Sequence, residues 1–349
     1  MIESLNWHLN NFYTSQKFWL LPTSLILSFI LSACFILISI PILTHFKIVD
    51  MPNSRRAHLK PTIRGGGIGF VIAFLMSLCY VSSLTNEHLN ILPLIIASSL
   101  AALISFIDDV KGISIVPRLF IHFVAASICL VCYLSPHLIF RGEVAPDLDL
   151  ALCILALVLF TNIYNFLDGI DGISAAQSIH LSVTTLLLCI IRDKVIINVD
   201  LVFYSSAIIF GASSAFMIFN WSPASVFMGD VGSIFLGLIH GSNLLLIAAS
   251  SERLFLASVI ASLYYIADGG ITILIRLMKR EKIWLPHLNH FFQQAVRKGM
   301  SHREIVSKIA CCNFILLCLS IYSIYSPHVA IIFSIICITF IIVHFHHHK

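Results

Sequence analysis

Several acidic and amide residues stand where long apolar runs end, a costly place to put them without a use. Asp108 and Asp109 are adjacent at the close of one run. Each would cost roughly 2.5–3.5 kcal/mol at the centre of a membrane helix. Paired carboxylates suit a divalent cation or general-base work, although a solvated helix end would also carry them. A second run closes on Asn162-Ile-Tyr-Asn165-Phe-Leu-Asp168-Gly-Ile-Asp171-Gly. Asn165, Asp168 and Asp171 recur every three residues, which on a helix keeps them within one broad face. Amides and carboxylates so arranged can hold a ribose, a base edge or a metal, and they are more polar than a membrane turn requires. A third segment, Phe227-Met-Gly-Asp230-Val-Gly-Ser233, opens an apolar run with a turn. Free backbone N–H groups and one carboxylate there suit a metal-bound phosphate; simple N-capping by Asp230 explains the segment equally well.

Basic and imidazole groups accompany the acids. The loop from Asp50 to Gly67 carries Arg55, Arg56, Lys60, Thr62 and Arg64 before Gly65-Gly66-Gly67, a plausible phosphate cradle. Anchoring by positive charge would account for the basic residues but not for the glycines. His287 and His290, three apart, suit phosphate binding or proton transfer, though such pairs are more often structural. Asp268 lies inside an apolar run with Arg276 after it, so it serves either a functional site or a structural pairing with a neighbouring helix. The ten cysteines read as buried thiols. The run of histidines at the C-terminus, His344 and His346 to His348, is assigned no function.

These groups must be positioned by a membrane scaffold. Of the 349 residues, 58% are hydrophobic and 11% charged, and mean hydropathy is +0.96. Soluble domains carry roughly 25% charged residues. Runs near the ~20 residues needed to cross the hydrocarbon core fall at 18–46, 66–84, 91–107, 117–135, 149–166, 173–191, 201–219, 231–249, 254–278, 305–324 and 327–345. The first is too long for a signal peptide and is read as a retained span. In lipid, backbone groups must be satisfied internally, so the spans are helices. The expected fold is an all-α polytopic membrane protein of about eleven transmembrane helices, a single domain over 1–349 with its motifs in 50–304. With eleven spans, fourteen Lys and Arg residues, Lys111, Arg118 and Lys279 among them, fall on one side and five on the other. The richer side is expected to be cytoplasmic. Asp50, Asp108, Asp109, Asp168, Asp171 and Asp230 share it. Convergence of acids from distant segments on one face points to a site there. No inverted repeat of the transporter kind is present.

Asp108-Asp109, Asn165-x-x-Asp168-Gly-Ile-Asp171-Gly, Phe227-Met-Gly-Asp230-Val-Gly-Ser and His287-x-x-His290, in this order, resemble the polyprenyl-phosphate N-acetylhexosamine-1-phosphate transferases. That family includes the peptidoglycan phospho-MurNAc-pentapeptide translocase and enzymes that start O-antigen and related glycans. The resemblance implies ten or eleven helices, Mg²⁺ dependence (Mn²⁺ as substitute), and a cytoplasmic active site in a bacterial inner membrane. It implies that Asp230, with Asp108, holds the metal beside the UDP pyrophosphate. Asp108 and Asp109 would lie near the lipid phosphate, with Asp168, His287 and His290 as further catalytic groups. Thr62, Arg64, Lys111, Asn165, Asp171 and Phe227 would bind substrate, Phe227 by stacking on uracil. The peptidoglycan enzymes usually carry three consecutive histidines where this chain has His287-Leu288-Asn289-His290, so the O-antigen-initiating branch and a UDP-N-acetylhexosamine are expected. The peptidoglycan reaction is the alternative. Partners would be the UDP-sugar, polyprenyl phosphate and the bilayer, with a homodimer conceivable and no nucleic acid. A secondary transporter, for which only Asp268 is well placed, and a non-enzymatic scaffold are the rivals.

Overall fold

The computed structural model describes residues 16–50, 61–85, 89–134, 139–192, 195–285 and 287–348. Thus Arg55, Arg56, His58 and Lys60 of the Gly- and Arg-rich loop lie outside the described residues. The apolar runs fold into helices: α1 Gln16–His45, α2 Gly67–Leu84, α3 Leu92–Lys111, α4 Ile115–Tyr133, α5 Pro146–Leu167, α6 Ile173–Arg192, α7 Val199–Asn220, α8 Gly229–Ser250, α9 Glu252–Ala261, α10 Leu263–Met278, α11 Phe291–Arg297, α12 His302–Ser323 and α13 Pro327–His347. Ten are long and apolar enough to cross a membrane; α9 and α10, bent by 70°, pass only together and make an eleventh if the pair is counted as one span. Outward faces carry large apolar side chains such as Leu103, Phe120, Leu155 and Phe340, as lipid-facing helices do. This is a polytopic membrane protein with the expected span count.

α8 is the central post. Its span is 94% buried, and α2, α3, α5, α9 and α4 pack around it. Small residues permit the closest approaches. A Cβ on Gly67 would lie 2.6 Å from the Gly232 Cα, so α2 touches α8 backbone to backbone. Polar side chains join helices elsewhere. His240 Nε2 lies 2.8 Å from Ser178 Oγ, which accepts from Ser213 Oγ at 2.8 Å, and Asn313 Nδ2 donates to Gln177 Oε1 at 2.8 Å.

Two short strands, β1 Val49–Asp50 and β2 Thr62–Ile63, pair antiparallel at the site end of the bundle. Ile63 bridges to Val226 and its carbonyl accepts from Phe227 N at 2.8 Å. The Gly65–Gly67 segment is thereby tied to the turn before α8: Gly66 N and Gly67 N donate to the carbonyls of Phe227 and Met228 at 3.0 and 2.9 Å. Three details differ from the sequence expectation. α3 runs on to Lys111, so Asp108 and Asp109 lie in its last turn rather than beyond it. α5 stops at Leu167, so of the three residues expected on one helical face only Asn165 is helical. His287 stands in a loop and His290 caps α11, so these two do not share a helix face. All ten cysteines are free.

Candidate active site

The acids from distant segments meet at one end of α8. Asp108 and Asp109 arrive on α3, Asp168 and Asp171 on the α5–α6 turn, and Asp230 on the first turn of α8. Two arginines hold them. Arg64 Nη2 contacts Asp230 Oδ1 at 2.7 Å and Asp109 Oδ1 at 2.8 Å. Arg118, from the first turn of α4, pairs with Asp108 and reaches Asp230 Oδ2 at 3.3 Å. Burial works against the Arg64 charge, but Asp230 and Asp109 outweigh it and raise its already high pKa.

The two adjacent carboxylates do different things. Asp109 is completely buried, at 0% side-chain exposure. It accepts from Asp230 N at 3.1 Å and Val231 N at 3.0 Å, so it caps α8 from another helix. The capping role that the sequence offered to Asp230 therefore belongs to Asp109, and the Asp230 side chain is left facing the arginines. Gly229 makes this possible. Its φ is +73°, and a Cβ there would stand 2.6 Å from Asp109 Oδ2. Asp108 stays partly open and accepts from Ile113 N at 2.6 Å.

A cavity of about 210 Å³ opens beside these groups, lined by Arg64, Asn165, Asp168, Asp171, Phe227 and Asp230, and beyond them by Asp50, Asn220, Gln293 and His302. Asn165 Nδ2 donates to Ser233 Oγ at 2.9 Å. Burial pushes the Asp168 carboxyl up to about 7; Ser174 opposes the shift, and the charge of Asp230 adds to it. Burial also raises Asp171, but His302, whose Nδ1 lies 3.3 Å from Asp171 Oδ2, together with Ser222 and Ala224 N, outweighs it and leaves the group below the usual carboxylate range.

Other expected residues lie around this cavity rather than in its wall. Thr62 is buried in β2, next to Ile63. Lys111 is exposed on the last turn of α3. His290 is buried with its Nδ1 3.2 Å from Asp268 Oδ1. Asp268 also accepts from Phe291 N at 3.0 Å, Phe292 N at 3.3 Å and Tyr264 Oη at 3.2 Å. The structural alternative for Asp268 thus holds, and it latches α11 to α10. The His287 ring is 4.8 Å from that of His290. Burial first, then His290 and Arg276, lower His287 to about 4, so it is neutral at physiological pH. Between the two, Leu288 lines the cavity.

Arg118 and His302 were not singled out from the sequence. Arg118 had passed as positive charge at a membrane boundary. A signal was there: it occupies the first turn of α4, where a cation opposes the helix dipole and needs another reason to be present.

Among the described residues no three His, Cys, Asp or Glu side chains form a ready cage for an ion. The donor set still fits a hard divalent cation. Asp108 and Asp230 keep partly open carboxylates beside the guanidiniums of Arg64 and Arg118, while Asp109 is spent on the α8 cap. Mg²⁺ is ordinarily held by one or two carboxylates with substrate phosphates and water rather than by an all-protein cage.

Acidic and basic side chains thus gather at a cavity at one end of a bundle of ten or eleven candidate spans. Residues 91–248 match the family described as Glycosyl transferase family 4. That match covers a little under half of the chain, and the following relatives extend the likeness beyond it. The chain is 25% identical over 305 residues to a probable undecaprenyl-phosphate N-acetylglucosaminyl 1-phosphate transferase of Bacillus subtilis, covering 83% of this chain and 82% of the relative. It is 26% identical over 296 residues to a decaprenyl-phosphate N-acetylglucosaminephosphotransferase of Mycolicibacterium smegmatis, covering 75% and 71%. It is 26% identical over 347 residues to a phospho-N-acetylmuramoyl-pentapeptide-transferase of Orientia tsutsugamushi, covering 86% and 93%.

Proposed function

We propose that this chain transfers N-acetylhexosamine-1-phosphate from a UDP-sugar to undecaprenyl or a related polyprenyl phosphate, at the cytoplasmic face of a bacterial inner membrane, and so starts an O-antigen or related surface glycan. One observation carries the reading: carboxylates and guanidiniums from α3, α4, β2 and its following turn, the α5–α6 turn and α8 surround one cavity at a single end of the bundle. An oxygen of the acceptor phosphate attacks the β-phosphorus of the UDP-sugar. The bond from that phosphorus to the bridging oxygen breaks, and UMP leaves with the electron pair. Attacking and leaving groups are both anionic, so the task is alignment and charge neutralisation. Arg64 and Arg118 supply fixed positive charge. Asn165 and Asp171 face the nucleotide, and Phe227 offers a ring for uracil. Mg²⁺, held by Asp230 and Asp108, would neutralise the diphosphate.

The acceptor's tail needs an apolar groove that begins near this cavity. One of about 280 Å³ lies between α5, α8 and the α9–α10 bend, lined by Ala156, Phe160, Ile163, Gly241, Leu244 and Ile266. The fourteen-to-five excess of basic residues on the site's side supports a cytoplasmic placement.

The peptidoglycan reaction is the second reading, favoured by the match across 93% of the Orientia tsutsugamushi relative. Purified protein offered a panel of UDP-sugars with polyprenyl phosphate and Mg²⁺ tests both. UMP release with a UDP-N-acetylhexosamine, and its sugar-phosphate found on the lipid by mass spectrometry, is the expected result. Turnover of UDP-MurNAc-pentapeptide alone would overturn the first reading for the second, and no release with any donor would overturn both.

A further inference from the structure

A second cavity, of about 620 Å³, lies between the end of α10, α11 and the end of α13. Four basic residues line it, Arg276, Lys279, Arg297 and Lys298, against one acid, Glu281. Arg276 is already committed. Its Nε contacts Glu281 Oε2 at 2.8 Å, and its other nitrogens donate to the carbonyls of Lys282, Ile283 and Leu285 at 2.9, 3.1 and 3.2 Å. Lys298 donates to the His346 carbonyl. The side chains of Lys279 and Arg297 are exposed and take part in no hydrogen bond or ion pair among the described residues. Between them the wall contains Thr272, only 2% exposed, whose buried Oγ1 has no hydrogen-bond partner. A buried hydroxyl left unpaired is unfavourable, and here it lines a cavity of positive charge. On the cavity wall itself Ile275 is an exposed apolar side chain, whereas the exposed stripe of Leu274, Leu277 and Met278 lies on the opposite face of α10.

We propose that this cavity binds the phosphate headgroup of an anionic phospholipid. Lys279 and Arg297 neutralise the phosphate, Thr272 Oγ1 donates to one of its oxygens, and an acyl chain lies against the exposed Ile275 on the same wall. Basic pockets between spans on the positive side of a membrane protein take such headgroups. The inference does not rest on the transferase reading. It does bear on the catalytic cavity, because α11 serves both: Gln293 faces the first cavity, Gln294 and Arg297 the second.

The full chain is reconstituted into nanodiscs of phosphatidylcholine alone or mixed with phosphatidylglycerol, and the lipid it retains on gentle extraction is read by native mass spectrometry. Preferential retention of phosphatidylglycerol is expected. Lys279→Gln with Arg297→Gln should lower that retention roughly tenfold, and Arg192→Gln, on the opposite side, should not. Thr272→Val keeps shape and charge, so a loss of retention there separates a built site from general surface attraction. Equal retention of the two lipids, or retention untouched by the double substitution, overturns the proposal. So does displacement of phosphatidylglycerol by inorganic phosphate that itself binds, which would make the occupant a soluble anion, or selective retention of added polyprenyl phosphate, which would make it the acceptor.

Discussion

Asp109 and Asp230 share one arginine yet should respond differently to substitution. Asp109→Ala removes the cap of α8 and leaves Arg64 short of a partner. A lost cap costs about 1 kcal/mol, so the melting temperature should fall. Asp230→Asn keeps the fold, because its carboxylate faces the cavity, and should cut UMP release by at least about a hundredfold. Thermal melting and UMP release on both variants check this; the same profile for the two would sink the division of labour. Asp168 gives a pH test. Its folded carboxyl sits near 7, above the ordinary range near 4, so the protonated form is the one the fold prefers. That contribution is complete below about pH 4 and is lost as pH rises through about 7. Asp168→Asn should therefore gain melting temperature over the parent progressively across that window in metal-free buffer, and hold the gain above it. A pH-independent difference would show that Asp168 does not titrate there.

At the scale of elements, the sequence made the spans visible because lipid demands long apolar runs. The ends were less legible, since a helix continues wherever a neighbour satisfies its polar groups. α3 carries Asp108 and Asp109 inside its last turn because Arg118, at the start of the next span, and the amides of α8, 121 and 122 residues away, receive them. Asn165, Asp168 and Asp171 come together for a different reason than helical periodicity: a turn after Leu167 delivers them to one cavity. Asp268 and His290 show the opposite case. Their types suggested chemistry, and only the packing of α11 against α10 reveals a latch. The α9–α10 bend, which the apolar pattern passed over, opens the groove beside α5. Ala156→Trp, at the exposed edge of that groove, should raise the KM for polyprenyl phosphate about tenfold and leave that for the UDP-sugar unchanged. Steady-state kinetics with each substrate varied would decide, and an equal rise in both would remove the groove from the acceptor's path.

For the whole molecule, the sidedness is testable. A cysteine at Arg141 lies on the opposite side from one at Arg297. In intact cells a membrane-impermeant maleimide should label the first and not the second, and inverted vesicles should reverse the pattern. Labelling of Arg297→Cys from outside would put the proposed chemistry on the wrong side for a nucleotide donor.

The enclosure of α8 has a consequence for turnover. The helix that carries Asp230 is walled in by its neighbours along nearly its whole length, whereas α5 and α10 show a face to the lipid. On the proposed reading, a long isoprenoid would reach the site from the side, past these lipid-facing helices, while the buried helix keeps the alignment. The protein would then work as a vice with one fixed jaw: the still centre grips, and the outer edge handles traffic.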